Sequence, residues 1–357
     1  MGSMETDKTQ RALPGPSHDP TPIFELFRGS YGSELLTAAV AHFGVFKILH
    51  NEALSLEALG ARLELKRRPM VVLTTALRAM GFLNLDSSNR LCLADIAREH
   101  LVSGNEFFVG DYVGLAASSP GVQAMVERLR SDAPADIDGA GAAFIYRDGM
   151  KSAMESAELA RHFTLALSGR AKNVAPVLAE RLPMEGVKHV LDVGGGTGIY
   201  SIALLRKYSE LKASVVDLPH VLEVAREFAA DYGVEDRVTF VNADMFTFEA
   251  GESQELVLLS NILHDWGEET CRDLVAHYGR QLTANGRLVV HDVFLNDSLD
   301  GPLPIALYSA ALFTLTEGRA YSMGEYRSWL EQAGLTVETP IETLIHCGAL
   351  VGTRLGS

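Results

Sequence analysis

Cysteine is scarce in this chain. Among 357 residues only Cys92, Cys271 and Cys347 occur, far apart and without metal-ligand or disulfide spacing. A disulfide scaffold and a cysteine-built zinc site are therefore not expected, and the thiols read as small core residues of a cytoplasmic, reducing-compartment protein. Basic charge is in deficit too. With 31 Lys and Arg against 46 Asp and Glu, the formal net charge is -15, which speaks against non-specific nucleic-acid binding and against an anionic membrane surface. No apolar run approaches the length of a membrane span, and no repeat of solenoid period is evident. Residues 1–20 are polar with several prolines, lack the apolar core of a signal peptide, and open like the remnant of an expression tag. They are expected to form a disordered tail.

The composition that remains, 47% hydrophobic and 22% charged, is that of a globular protein long enough for two domains. From about Leu35 three stretches have helical periodicity: LLTAAVAHFGVFKIL, SLEALGARL with Ser55 as N-cap, and RRPMVVLTTALRAMGFL. LNLDSSNRLCLA follows and reads as a hairpin turning through Asp86 to Asn89. Three helices and a hairpin make a winged-helix-like unit over residues 21–105, a shape used both to read DNA and to hold dimers together. Its third helix carries Arg67, Arg68 and Arg78 but is otherwise almost wholly apolar from Met70 to Leu83. A groove-reading helix needs a polar and basic face, so a buried homodimer interface is the better fit. Residues 106–180 read as a helical connector with a small acidic loop, SDAPADIDGAGA, and two helical segments after it. Over residues 181–357 strands and helices alternate as in a parallel sheet covered on both faces. TVETPIETLI and GALVGTRL lie too close together for a crossover helix and should pair antiparallel. The fold class expected is α/β, a Rossmann-like domain behind a mainly helical one.

VLDVGGGTGIY, Val190 to Tyr200, carries the most information. It reads as a buried strand, a turn through Gly194, Gly196 and Gly198, and the first turn of a helix, so that bare backbone N–H groups can face a ligand. A dinucleotide fingerprint needs a glycine at the position of Ile199, which tilts the reading away from NAD. The next two strands end in Asp217, followed by Leu218, and in Asp244, followed by Met245. Taken alone, the glycine turn is equally a tight strand-to-helix connection. With the acids at their spacing, Asp192, Asp217 and Asp244, the segment resembles class I S-adenosylmethionine (SAM)-dependent methyltransferases. The resemblance implies SAM as cofactor and S-adenosylhomocysteine as product. It implies a glycine loop holding the methionine part, Asp217 on the ribose, and Asp244 with Met245 flanking the adenine. The cofactor set inferred is Asp192, Gly194, Gly196, Asp217, Leu218, Asp244, Met245 and Asn261.

ELVLLSNILHDWGEE is a buried fourth strand that ends at Asn261, His264, Asp265 and Trp266, in the layer where open α/β sheets bind ligands. LHDW is similar to the small-molecule O-methyltransferases that join this SAM domain to an N-terminal winged-helix dimerisation domain, among them plant caffeic acid and isoflavone enzymes and bacterial antibiotic-tailoring enzymes. That resemblance implies His264 as catalytic base and Asp292, at the end of GRLVVHDVFLND, as the acid that orients it. A phenol near pKa 10 is a poor nucleophile until a base takes its proton. Asp265 joins His264 and Asp292 as the third candidate catalytic residue; the alternative has Asp265 capping the next helix in a capping box with Glu268 while His264 merely packs beside it. The sequence departs from the family at GRAYS, where Ala320 stands in the place of a second acid. That departure leaves N-methylation of a heteroaromatic open, and also iron-assisted C-methylation of an α-keto acid with His264, Asp265 and His291 as ligands; acid-base transfer needs no metal. More remote are a SAM-responsive regulator on DNA and a member of the fold that no longer methylates. The acceptor, a small aromatic metabolite, would meet Tyr146, Met150, Phe163, Trp266, Phe294, Tyr308 and Phe313, each of which on its own fits a core position as well. Arg147, Arg161 and Arg170 offer a carboxylate partner or simply a solvated face.

Overall fold

The computed structural model describes residues 12–146 and 151–356, and the chain divides into two compact units. One is made of residues 22–142 and 294–323, the other of the chain up to Thr21, residues 143–293 and residues 324–357.

In the first unit the amphipathic helices form as the apolar spacing predicts: Ser30–Thr37 continued by Ala38–His42, then Val45–Asn51, Leu56–Leu63 and Arg67–Ala79. Ser55 caps the third of these, accepting the Ala58 N–H. Strands β1 (Leu83–Leu85) and β2 (Leu91–Leu93) pair antiparallel, and the turn is tied by Asp86 Oδ1, which accepts the N–H groups of Ser88 and Arg90. The core of the unit gathers Leu35, Phe46, Leu59, Leu73 and Leu77 with Ala310 and Phe313 from the downstream helix Leu303–Leu315. All three arginines in the helix Arg67–Ala79 are engaged inside this unit, Arg67 donating to Glu57 Oε1 (3.4 Å). Arg68 donates to Asp132 Oδ1 (2.7 Å) and to the carbonyls of Thr316 and Gly318, and Arg78 donates to the carbonyls of Ser298 and Leu299. A phosphate backbone would have to compete with these bonds.

In the second unit, strands β3 (His189–Val193), β4 (Lys212–Asp217), β5 (Val238–Asn242), β6 (Gln254–Ser260) and β7 (Leu282–Leu295) share one sheet, and β7 runs on beyond Val293 into the first unit. There Phe294 and Leu295 pair with β8 (Tyr321–Ser322). Later come β9 (Thr336–Val337), β10 (Ile341–Glu342) and β11 (Cys347–Thr353). The spatial order is β10-β11-β7-β6-β3-β4-β5, with β5, β4, β3, β6 and β7 parallel and β11 antiparallel to β7, as the close spacing of the last runs requires. Strand order reverses direction about β3. The crevice at its carboxyl end is the topological switch point, where such sheets bind ligands. β3 and β6 are buried on both faces, the pattern of central parallel strands.

The two helical segments expected after the acidic loop are, among the described residues, one helix, Ala157–Arg181, capped by Ser156 and running through Pro176. Its residues Val174, Ala175 and Leu178 are buried, and the helix packs on Ile199–Lys207. That burial outweighs the one backbone bond proline cannot donate. No single helix among the described residues is long and apolar enough to cross a membrane. A bent pair within residues 21–51 passes by length and composition, but its Leu35, Ala38, Ala39, Val45 and Phe46 lie in the core.

Candidate active site

The glycine turn leaves β3 with Gly194 at φ 63°, Gly196 at φ 59° and Gly198 at φ 69°, and Gly198 caps the helix Ile199–Lys207. A Cβ on Gly194 would stand 2.4 Å from Ile262 Cδ1, with Met245 Sδ at 3.9 Å, so the turn, the end of β6 and the segment after β5 converge there. Around Gly196 there is open space. Its N–H donates to Asp217 Oδ2 (2.8 Å), while the Leu218 N–H donates to Oδ1 (2.7 Å). Burial nonetheless pushes the Asp217 carboxyl up to about 6. Asp192 is fully buried in β3 and is pushed up to about 7 by burial, although Ser201 donates to its Oδ2 (2.7 Å). Asp244 is exposed, and its Oδ1 accepts the Phe246 N–H (2.9 Å). Bare turn backbone, a carboxylate pinned at the end of β4 and a thioether beside Gly194 fit the polar and apolar parts of SAM.

Asn261 follows β6 in a left-handed conformation, φ 57°. Its side chain donates to the Tyr200 hydroxyl (3.3 Å) and accepts from Arg170 (2.7 Å), which also reaches Cys347 Sγ (2.7 Å). Arg170 is thus drawn to this end of the sheet, whereas Arg161 forms an exposed two-bond pair with Glu227.

His264 is buried, 4% exposed, on a short 3₁₀ turn, Leu263–Asp265. Its Nδ1 lies 2.6 Å from Asp292 Oδ1, and Asp265 Oδ1 stands 3.6 Å from Nε2. Burial lowers the imidazole pKa, but the charges of Asp292 and Asp265 outweigh it and the net shift is upward. Burial raises Asp292 as well, yet the His264 charge and the hydrogen bonds from His264, Val293 and Tyr326 hold it below the usual carboxylate range. Asp265, pushed up by burial to about 7, is the more readily protonated of the two acids. With Nδ1–H donated to Asp292, the lone pair of a neutral His264 sits on Nε2. The histidine is thus flanked by two acids although Ala320 stands at the family's second acidic position, because Asp265 approaches from the adjoining residue.

The capping box does not form. Asp265 ends the 3₁₀ turn, and Trp266 and Gly267 are extended, so the helix Glu268–Arg280 begins with Gly267 as N-cap. His291 is fully buried, with Nδ1 2.8 Å from Ser260 Oγ and Nε2 3.3 Å from Thr343 Oγ1. Burial drives its pKa down to about 3. Both its nitrogens face hydroxyls, and His264, Asp265 and His291 do not form a common ligand face. Of the acceptor-pocket candidates, Phe163 meets Phe144 edge to face at 5.3 Å, Trp266 is buried against Phe246 at 4.8 Å, and Tyr146 is half-buried. Within the first unit, Phe294 is half-buried on β7, Tyr308 lies under the Arg28 guanidinium (3.6 Å), and Phe313 is packed in the core beneath Arg68. Met150, like Arg147, lies outside the described residues. Sequence reasoning missed Tyr200, Ser201 and Tyr326; each acts through a contact that no local spacing encodes.

Comparison with known proteins agrees with this geometry. A family model described as an O-methyltransferase domain matches residues 137–336. The 3-hydroxy-5-methyl-1-naphthoate 3-O-methyltransferase of Streptomyces sahachiroi is 32% identical over 317 residues, 88% of this chain and 89% of that protein. The L-tyrosine C(3)-methyltransferase of Streptomyces lavendulae is 27% identical over 319 residues, covering 87% of this chain and 85% of that one. An O-methyltransferase family 2 protein from Planctomyces limnophilus, solved as a complex with apigenin, is 43% identical with a TM-score of 0.88, over 97% of this chain and 99% of that one. Together with the SAM-fitting turn and the His264 site, these matches identify the chain as a member of the O-methyltransferase family and a SAM-dependent methyltransferase.

Proposed function

We propose that this enzyme methylates a hydroxyl oxygen of a small aromatic metabolite, with His264 as general base. The observation that carries the reading is the 2.6 Å contact between His264 Nδ1 and Asp292 Oδ1, which leaves Nε2 as the proton acceptor. SAM, when bound, supplies an electrophilic methyl group on a sulfonium. His264 Nε2 takes the acceptor's phenolic proton, Asp292 stabilises the resulting imidazolium, and the freed oxygen lone pair forms the new bond to carbon as the sulfonium becomes a neutral thioether. Asp192, Gly194, Gly196, Asp217, Leu218, Asp244, Met245 and Asn261 form the cofactor cradle in this reading. The acceptor class is supported by the names of the relatives, which include a naphthoate 3-O-methyltransferase and a myricetin 3-O-methyltransferase.

The same reading makes the protein a cytoplasmic homodimer, associated through the winged-helix-like N-terminal region. On the helix Thr21–Arg28, Ile23, Leu26 and Phe27 are 69%, 82% and 79% exposed, and a second copy would cover them. The tyrosine C-methyltransferase among the relatives keeps carbon as a second acceptor atom. The deciding experiment gives methyl-labelled SAM and pooled phenols, heteroaromatic amines and α-keto acids to the enzyme and to His264→Ala, then locates the label by mass spectrometry. Label on oxygen that falls by roughly 10²–10⁴-fold in His264→Ala is expected. Label on carbon, or turnover within a few-fold of wild type in the variant, refutes the reading.

A further inference from the structure

Asp292 is 1% exposed, and its two oxygens are held differently. Oδ1 faces His264 Nδ1 (2.6 Å) and accepts the Val293 N–H (2.8 Å), whereas Oδ2 accepts the hydroxyl of Tyr326 (3.0 Å). Tyr326 comes from the helix Met323–Gln332 and is fully buried. Its ring meets Trp329 edge to face at 5.3 Å and 81°, so the direction of the hydroxyl is set by the packing of that helix.

We propose that Tyr326 is a positioning residue for methyl transfer: its hydroxyl pins Asp292 Oδ2 and thereby presents Oδ1 to His264, fixing the imidazole with Nδ1 on the carboxylate and its lone pair on Nε2. The inference rests on the reading of His264 as base. A carboxylate can turn about its last torsion and offer either oxygen, and a base that must meet a substrate proton within about 0.5 Å of one position needs that torsion fixed. Among the described residues no other group facing the pair supplies a donor to Oδ2 in its place. His291 is turned to Ser260 and Thr343, Arg170 to Asn261 and Cys347, and Asp265 lies on the Nε2 side of His264.

The bland role for Tyr326 is to satisfy a buried carboxylate, which would affect stability alone. Tyr326→Phe removes one oxygen and keeps the ring against Trp329. With that variant, kcat should fall roughly tenfold, the scale of one hydrogen bond to a charged group, while KM for SAM and acceptor stays within about twofold. The acid limb of the kcat profile should move to higher pH, because an Asp292 charge no longer shared with the hydroxyl stabilises the imidazolium more strongly. A readout independent of turnover is the downfield proton resonance of His264 Nδ1–H, assigned by its loss in His264→Ala, which should shift or broaden in Tyr326→Phe. An unmoved acid limb and an unshifted resonance, with only a lower Tm, overturn the proposal. If His264→Ala retains turnover, the base reading falls, while the resonance in Tyr326→Phe still decides whether Tyr326 positions the pair.

Discussion

Gly194 and Ile262 are in mutual contact across the glycine turn: a Cβ at residue 194 would stand 2.4 Å from Ile262 Cδ1. Gly194→Ala therefore meets two obstacles, the clash and a left-handed φ of 63° that costs a side-chain-bearing residue roughly 1–2 kcal/mol. Loss of SAM binding and a lower Tm are expected. Adding Ile262→Ala should restore part of the loss, since it relieves the clash and not the backbone strain. Calorimetric SAM titration of both variants checks this, and wild-type affinity in Gly194→Ala would refute it.

Asp292→Asn keeps the shape of the side chain that faces His264 but removes its charge. Turnover should fall by roughly 10²-fold or more. Asp292 raises the His264 pKa, so the acid limb of the kcat profile should move to lower pH in this variant. A limb that stays fixed would mean that His264 is not the titrating base.

Asp192 ties stability to pH. Its folded pKa of about 7 lies above the ordinary 3.8, so folding favours the neutral acid. Its burial carries no penalty below about pH 4; the penalty grows as pH rises and is complete above about pH 7. Asp192→Asn should accordingly flatten the fall in stability between those limits. Asp217 and Asp265, shifted in the same direction, leave a residual slope. Urea unfolding at pH 5 and pH 8 tests this; equal slopes for variant and wild type would contradict it.

Leu26→Glu combined with Phe27→Asp places charge on the most exposed apolar face of the helix Thr21–Arg28. If that face joins two copies, light scattering should find wild type as a dimer and the variant as a monomer. A monomeric wild type at micromolar concentration would end the homodimer reading.

Much of the site was legible because it is written locally. The glycine turn and the acids at the ends of successive strands follow from residue spacing alone, and so does the antiparallel close of the sheet at β11. The contacts that tune the site are different. Tyr326 reaches Asp292 from 34 residues away, and Ser201 donates to Asp192 Oδ2 from the far side of the glycine turn. Neither partnership has a period or a motif. Asp265 suits both a cap and a place beside His264 by residue type, and only the 3₁₀ turn decides between the two. The division of the chain was equally hidden, since the apolar run Leu303–Leu315 suits any core.

That division governs the order in which the protein can be built. Ala310 and Phe313 belong to the same core cluster as Leu35 and Leu77, yet the ribosome makes them more than two hundred residues after the last of those. The first unit emerges with part of its interior missing and must wait, with apolar surface uncovered, until residues 294–323 have left the tunnel behind the five parallel strands of the second unit. A fragment that stops at Ala142 should therefore aggregate, whereas the same fragment supplied with residues 294–323 as a separate peptide has the pieces to close its core.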